Sequence, residues 1–180
     1  MSLSTDTPKT VWQGIHAYVG TMGAGDAMAS SWDDLGIIDE NALSITTQDG
    51  TQYNLLDING ELVDYLENEP VLTINFTLLK PSEATRGKFW TMEESGSGSN
   101  RKVQVKSLLP TSHMSIKFGS ASIADAETFE AAKAFIKMAP AWEKAKGFNN
   151  PCTAKLIKGA TKVLFQFGKT VVGSGGSQSA

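Results

Sequence analysis

Residues 42–80 constrain the fold of this chain more than any other stretch, because they read as four short β-strands joined by tight turns. The turns fall at 48–50 (Gln-Asp-Gly) and 57–60 (Asp-Ile-Asn-Gly), where Asp, Asn and Gly tolerate the left-handed backbone that hairpins require. Residues 71–78 alternate loosely and are rich in branched and aromatic side chains, which is typical of a strand. The stretch therefore predicts a fold built mainly from β-hairpins.

The same stretch lies in a strongly acidic half of the chain. Between Lys9 and Lys80 there is no Lys or Arg, and there are eleven Asp or Glu residues. Residues 1–79 carry one Lys against twelve acids, a net charge of −11, whereas residues 80–180 carry fifteen Lys or Arg against seven acids, a net charge of +8. Such a split fits nucleic-acid binding, an internal seam of ion pairs, or complementary faces in an oligomer. Because acidic strands repel phosphates, the first half is not expected to grip DNA.

Length and composition predict one folded domain. A chain of 180 residues with 41% hydrophobic and 19% charged residues has the balance of a globular protein. Its longest apolar runs fall far short of the roughly 20 residues of a membrane-spanning helix, and the first residues lack the pattern of a signal peptide. The single cysteine, Cys152, excludes an intrachain disulfide and is expected to be a small buried residue. We predict a flexible arm at 1–9, the domain at 10–168 and a flexible Gly/Ser-rich tail at 169–180.

Two helices are predicted. Residues 81–90 read as a short helix with Ser82 as its N-cap, followed by Phe89 and Trp90 as core residues. Residues 125–139 read as one long helix, because apolar residues recur at helical spacing while acids lie near its start and lysines near its end. The predicted fold class is mainly β (α+β): a β-sandwich or barrel of antiparallel strands with one long packed helix and one short helix.

The remaining segments are read as strands or connections. Further strands are predicted at 10–19, 102–108, 112–118, 153–157 and 161–167, and 158–160 is read as a hairpin turn between the last two. Irregular segments are predicted at 20–41, 93–100 and 142–150.

No set of residues predicts catalysis, a cofactor or a strong metal site. His16 and His113 are almost a hundred residues apart, and no acidic neighbour in sequence orients either of them. The glycines at 20–25 are followed by Asp26 instead of the Lys-Ser or Lys-Thr of a phosphate loop. Asp64 and Glu67 can be drawn as a glycosidase pair, but solvated acids are the commoner reading of such spacing. Residues 57–60 lack the ligand ladder of a calcium loop, which leaves only a weak cation site open. We therefore expect a structural or interaction protein.

The order of these phrases resembles that of the major tail tube proteins of tailed bacteriophages, over roughly residues 10–168. The similarity lies in an opening strand, the loop phrase at 32–36 (Trp-Asp-Asp-Leu-Gly), residues 38–45, the turn at 48–50 and the strand at 71–79. The tube proteins of contractile injection systems share this layout. It is a likeness of arrangement and short phrases, without a chemical signature.

The resemblance implies a structural virion protein. Members of that family fold as a β-sandwich or barrel with a packed helix, six copies form a ring, and rings stack into a tube through which DNA passes during infection. The implied partners are further copies of the chain, other tail proteins, and DNA that slides through an acidic lumen without sequence-specific binding. The implied location is the phage tail, assembled in the cytoplasm of the bacterial host.

The residues expected to serve this role fall into two sets. The acids expected to line the lumen are Asp57, Glu61, Asp64, Glu67 and Glu69. They do not all occupy alternate positions of one strand, so only some of them can face inward. Contacts between subunits and rings are expected from the arm, the 20–41 loop and the 93–101 loop, namely Thr7, Pro8, Lys9, Trp32, Asp33, Asp34, Leu35, Glu93, Glu94, Arg101 and Lys102. The alternatives are a small-ligand-binding β-barrel module, or another virion subunit such as a capsid decoration or tail-completion protein.

Overall fold

The chain folds almost entirely into β-strands in the computed structural model, which describes residues 14–50, 52–56, 58–59, 62–108, 113–123, 126–143, 147–159 and 161–169. The strands are β1 (Ile15–Gly20), β2 (Asp33–Ile37), β3 (Ser44–Gln48), β4 (Gln52–Leu56), β5 (Leu62–Glu67), β6 (Val71–Leu79), β7 (Trp90–Ser95), β8 (Lys102–Leu108), β9 (His113–Ser120), β10 (Glu127–Met138), β11 (Ala141–Glu143), β12 (Gly147–Ile157) and β13 (Gln166–Lys169). One α-helix, α1 (Glu83–Gly87), and two 3-10 turns, Glu40–Ala42 and Gly98–Asn100, complete the set.

Nine strands form one sheet, and every pairing within the described ranges is antiparallel. The order is β2-β1-β9-β10-β12-β6-β3, with β11 paired to β12 and β13 paired to β10. β10 is central: β9 runs along one side of it, and β13 followed by β12 runs along the other. β2 and β3 end the path, so each has one edge without a strand partner in the described part of the chain.

The long helix predicted for residues 125–139 is wrong, because β10 occupies most of that segment. Ala132, Ala134, Ile136 and Met138 are buried in strict alternation, which is the period of a strand. A register shift between Ala131 and Ala134 breaks this period earlier in β10. Hydrogen bonds to strands on both sides outweigh the intrinsic helix preference of the alanines, which amounts to only tenths of a kcal/mol per residue.

The core lies on one face of the large sheet. Alternate residues of β1, β6, β9, β10 and β12 point into it, and Phe76 of β6 packs edge-on against Phe118 of β9 at 5.1 Å between ring centroids. Phe89 and Trp90 are 1% and 3% exposed, which confirms that they are core residues. The Trp90 indole N–H donates a hydrogen bond of 3.0 Å to the Met138 carbonyl, so the start of β7 is fixed to the end of β10. Cys152 is also buried in this core, as predicted.

The four strands predicted in residues 42–80 and the short helix after them are confirmed as β3 to β6 and α1. Ser82 Oγ accepts a hydrogen bond of 3.0 Å from the Thr85 N–H, which satisfies one of the free donors at the helix start. Local signals, namely turn residues and a cap, determine both features.

Several connections contain strands that the sequence did not indicate. The 20–41 segment contains β2, residues 93–95 belong to β7, and residues 142–150 contain parts of β11 and β12. The hairpin predicted through 158–160 is also wrong, because β13 pairs with β10 and not with β12. β2 pairs with β1, and β13 pairs with β10, between residues distant in sequence, which local composition does not report, whereas β11 pairs with the neighbouring β12.

The two ends of the large sheet approach each other at one point without closing it. Ile38 follows β2, donates its N–H to the Ile15 carbonyl at 3.0 Å, and forms an isolated bridge with Leu78 of β6. The Asp39 N–H then donates to the Thr77 carbonyl at 2.8 Å. These bonds tie the β1–β2 end to β6, while β3 extends beyond that point.

Two hairpins stand outside the large sheet. β4 pairs with β5, and β7 pairs with β8, each as a separate two-stranded sheet. The first is an excursion between β3 and β6, since Gln48 and Val71 at its base lie directly opposite each other in the β3–β6 ladder. Gly50 passes so close to the Asn68 carbonyl oxygen that a side chain there would collide with it.

Candidate assembly surfaces

The β4–β5 hairpin, hereafter the hairpin ribbon, exposes apolar side chains that its own domain does not cover. Tyr53, Leu55 and Leu56 are 55%, 62% and 56% exposed, and Ile58 in the turn is 99% exposed. Leu55 and Leu56 are adjacent in β4 and both are exposed, and the β4–β5 register shifts between them. An isolated two-stranded hairpin is at best marginally stable in water. Burial of these side chains against another molecule would therefore stabilise the ribbon.

Only one of the five acids expected to line a lumen has a described side chain. Glu69 lies at the base of the ribbon and forms an ion pair with Lys158, the residue that follows β12. Asp57 and Glu61 lie outside the described residues, and so do the side chains of Asp64 and Glu67 in β5. The structure thus places Glu69 beside a basic residue of the second half of the chain.

The contact residues expected from the 32–36 segment lie in β2, which has one open edge, and directly before it. Asp33 pairs with Lys88 Nζ at 2.7 Å, and Asp34 pairs with His16 Nδ1 at 2.8 Å. Leu35 is 1% exposed and belongs to the core. Trp32 and Tyr18 flank Lys117, whose Nζ lies 5.5 Å and 5.6 Å from their ring centroids. Burial, and then the nearby Asp34 carboxylate, raise the pKa of Tyr18 above its ordinary value.

A second cluster of expected contacts surrounds Arg101 at the tip of the β7–β8 hairpin. Arg101 binds Glu83 of α1 through two hydrogen bonds of 3.0 Å and 2.6 Å, and binds Glu94 through bonds of 2.5 Å and 3.3 Å. These bonds raise the pKa of Arg101 and lower the pKa of Glu83 below its ordinary value. Glu93 pairs instead with Lys106 at 2.9 Å, and Lys102 is exposed. Thr7, Pro8 and Lys9, the remaining expected contacts, lie outside the described residues.

Two grooves flank the large sheet. The first, here the apolar groove, has a volume of about 300 Å³ and opens beside the edge strand β3; its lining residues are Ile15, Leu43, Ser44, Ile45, Ile74, Phe118, Gly119, Glu127, Phe129 and Phe167. The second, here the outer groove, has a volume of about 530 Å³; its lining residues are Glu69, Pro70, Val71, His113, Phe135, Lys155, Leu156, Ile157, Lys158 and Leu164. The two differ in chemistry, because lysines line only the outer groove.

Sequence reasoning missed the exposed ribbon and the basic groove for different reasons. The adjacent pair Leu55 and Leu56 carries a readable signal, since one of two neighbours in a strand must face away from any single core. Lys133, Lys137 and Lys155 become neighbours on one surface only once 127–138 is known to be a strand beside β12. The pairing of His16 with Asp34 spans 18 residues and depends on the β1–β2 register.

Neither a protein-family model nor a curated protein sequence matches the chain. Among the described residues, no three or more His, Cys, Asp or Glu side chains come together in a group that would hold a metal ion. No helix in the same part of the chain is long and apolar enough to cross a membrane.

Proposed function

We propose that this chain is a structural subunit that assembles with copies of itself into stacked rings, as the tail tube of a tailed bacteriophage. The observation that carries the proposal is the hairpin ribbon, where Tyr53, Leu55, Leu56 and Ile58 remain exposed although the domain has a well-filled core. In a monomer these apolar side chains stay in contact with water, which is unfavourable, whereas a subunit of an assembly buries them against a neighbour.

The open edges of the large sheet support the same proposal. β2 and β3 each present one row of backbone N–H and C=O groups without a strand partner among the described residues. All five residues of β3 are exposed, including Ile45 at 54%. Unpaired edges are templates for pairing with another chain. In the proposed ring, edge strands of neighbouring copies pair, and the curved sheets together form the barrel that one copy leaves open.

The charge asymmetry supports a head-to-tail arrangement. A heterologous contact that does not close on itself builds a filament, and it requires two unlike surfaces on each copy. Asp26, Asp33 and Glu69 of the acidic first half pair with lysines of the second half within the copy. The difference is therefore left to the acidic sequence of the hairpin ribbon and to the exposed Lys137 and Lys155 of the second half. In this proposal some of Asp57, Glu61, Asp64, Glu67 and Glu69 line the channel and keep DNA from adhering to it. The complete tube resides in the virion, contacts other tail proteins, and is assembled in the host cytoplasm.

The assembly state at high concentration tests this proposal. The purified full chain is concentrated stepwise, and each step is followed by size-exclusion chromatography with light scattering and by negative-stain electron microscopy. We expect rings, and then tubes with a continuous central channel. A chain that elutes as a compact monomer at every concentration contradicts the proposal.

The apolar groove favours a second candidate function, the binding of a small apolar ligand by a single copy. Its volume of about 300 Å³ and its lining by Leu43, Ile45, Phe118 and Phe129 match the lower end of ligand sites. An environment-sensitive apolar dye distinguishes this function, because a ligand site predicts one dye per monomer and loss of binding in Ile45→Glu. Dye binding that disappears as rings form identifies the groove instead as surface covered on assembly.

A further inference from the structure

The outer groove combines an apolar floor with basic residues along its rim. Its apolar side chains come from three strands and from the segment after β12, namely Val71, Phe135, Ile157 and Leu164. Phe135 lies directly opposite Lys155 in the β10–β12 ladder, and opposite His113 in the β9–β10 ladder. Residues opposite each other project from the same face of a sheet. The apolar and basic groups therefore form one continuous surface.

The basic charge of this surface is only partly neutralised within the copy. Lys158 pairs with Glu69, and Lys133 pairs with Asp26 at 2.8 Å. No carboxylate of the described residues lies within ion-pair distance of Lys155 or Lys137, and Lys137 Nζ lies 5.3 Å from the Phe135 ring centroid. Lys137 and Lys155 are both exposed. The groove thus offers Lys155 in its lining and Lys137 beside it, next to the half-buried Phe135 ring and the exposed aliphatic side chains of Val71 and Ile157.

The hairpin ribbon has the opposite composition. Its exposed apolar residues are Tyr53, Leu55, Leu56 and Ile58. Its sequence from 52 to 67 adds the acids Asp57, Glu61, Asp64 and Glu67 and contains no Lys or Arg. It matches the outer groove in both respects, apolar against apolar and acidic against basic, which is the condition for a specific protein interface.

We propose that the hairpin ribbon of one copy docks in the outer groove of a second copy. This contact rests on the self-assembly proposed above and names the two surfaces that form it. A copy does not use the contact internally, because its own Tyr53, Leu55 and Leu56 remain more than half exposed. Each copy carries one ribbon and one groove, so the contact is heterologous and repeats from copy to copy.

Variants at each surface test the contact separately. The groove variant is Lys137→Glu with Lys155→Glu, and the ribbon variant is Leu55→Ser with Ile58→Ser; all four side chains are exposed, so the fold is retained. Lys80→Glu is the matched control, because Lys80 is exposed at the opposite end of β6 from Val71. We expect at least a tenfold rise in the concentration required for assembly in both variants and no change in the control. Normal assembly of either variant overturns the proposed contact.

Mixing the two variants gives the sharper result. Each mixture contains one intact groove, from the ribbon variant, and one intact ribbon, from the groove variant. At concentrations at which neither variant assembles alone, the mixture is therefore expected to form one-to-one dimers, detected by light scattering. Failure to dimerise overturns the pairing even where both variants block assembly, because it shows that the two surfaces contact something other than each other.

Disulfide capture identifies the contact directly. Ile58→Cys in one chain and Ile157→Cys in another place thiols on the ribbon and in the groove, while the native Cys152 is buried. Mixed and oxidised, these chains are expected to form a disulfide-linked heterodimer, whereas Ile58→Cys with Leu108→Cys should not. Absence of the heterodimer contradicts the contact. If wild-type chains assemble, the variants assemble equally well and no disulfide-linked heterodimer forms, only this contact is overturned. If wild-type chains remain monomeric, the proposed function and the contact are both overturned.

Discussion

At the scale of single residues, Trp90 shows how one side chain joins two parts of the fold. Its indole donates to the Met138 carbonyl at 3.0 Å in the core, whereas Trp142 is 76% exposed. We expect Trp90→Phe to lower the free energy of unfolding by about 1–3 kcal/mol, because it leaves a buried carbonyl without this donor. Trp142→Phe, the matched control, should change it by less than about 0.5 kcal/mol. Urea denaturation measures both, and equal effects would show that the hydrogen bond contributes nothing.

Cys152 makes stability depend on alkaline pH. Burial raises the pKa of its thiol from 9.0 to about 12 in the folded chain. Between these values the unfolded chain loses a proton that the folded chain keeps, so stability falls as pH rises, by up to about 1.4 kcal/mol per pH unit. Unfolding curves from pH 9 upward should show this loss in the wild type and a shallower one in Cys152→Ala. Parallel curves would contradict the assignment of the slope to this thiol.

At the scale of elements, the Arg101 cluster holds the β7–β8 hairpin against α1. Arg101→Gln removes the bonds to both Glu83 and Glu94, while Lys106→Gln removes the pair with Glu93 and the bond to Gln104 Oε1, neither of which reaches α1. We expect faster amide hydrogen exchange across Ser95–Lys102 in Arg101→Gln, little change in Lys106→Gln, and no change in global stability for either, since exposed pairs contribute little.

The lowered pKa of Glu83 gives the same cluster a pH dependence. A carboxylate whose pKa is lowered in the folded chain stays ionised and keeps its ion pair at any pH above its ordinary pKa of 4.5. The pair is lost only as the pH falls below that value. The wild-type hairpin should therefore retain its protection at neutral pH and lose it only in acid. Exchange in Arg101→Gln that equals that of the wild type at neutral pH would show that the cluster does not order the hairpin.

Elements defined by local chemistry could be predicted from the sequence, and elements defined by distant partners could not. The turns at 48–50 and 57–60 and the Ser82 cap set strand and helix boundaries locally, and the fold follows them. β10 is the opposite case, since Ala131, Ala132 and Ala134 suit a helix equally well and only β9 and β12 decide the outcome. The acidity of the ribbon is visible in the sequence, and the adjacent Leu55 and Leu56 signal its exposed apolar residues. The basic groove, in contrast, depends on the pairing of β10 with β9 and β12.

At the scale of the whole molecule, the fold separates a self-sufficient domain from a projecting ribbon. The buried cluster draws on β1, β2, β6, β7, β9, β10 and β12, and it includes none of the described β4 side chains. The ribbon begins and ends at Gln48 and Val71, which are already paired with each other. In the proposed function, folding and assembly are therefore carried by different parts of the chain.

This separation predicts that residues 49–70 can be removed without unfolding the domain. Replacing them by Asn-Gly joins β3 to β6 through a two-residue hairpin turn of the type that antiparallel neighbours favour. We expect the near-ultraviolet circular dichroism of the core aromatics to persist and the free energy of unfolding to change by less than about 1 kcal/mol, within the range of changes that leave the core intact. Assembly should be lost, because the excision removes Tyr53, Leu55, Leu56 and Ile58 together with the acids beside them.

A second variant separates loss of the ribbon from shortening of the connection. Replacing residues 49–70 by a Gly/Ser segment of the same length keeps the spacing of β3 and β6 but supplies no apolar or acidic side chains. Both variants should remain folded monomers at concentrations at which the wild type forms the proposed rings. If the Gly/Ser variant still assembles, the open edges of β2 and β3 are sufficient to join copies, and the ribbon is not the surface that assembly requires. If either variant unfolds, the ribbon is part of the folding unit, and the rest of the domain does not fold without it.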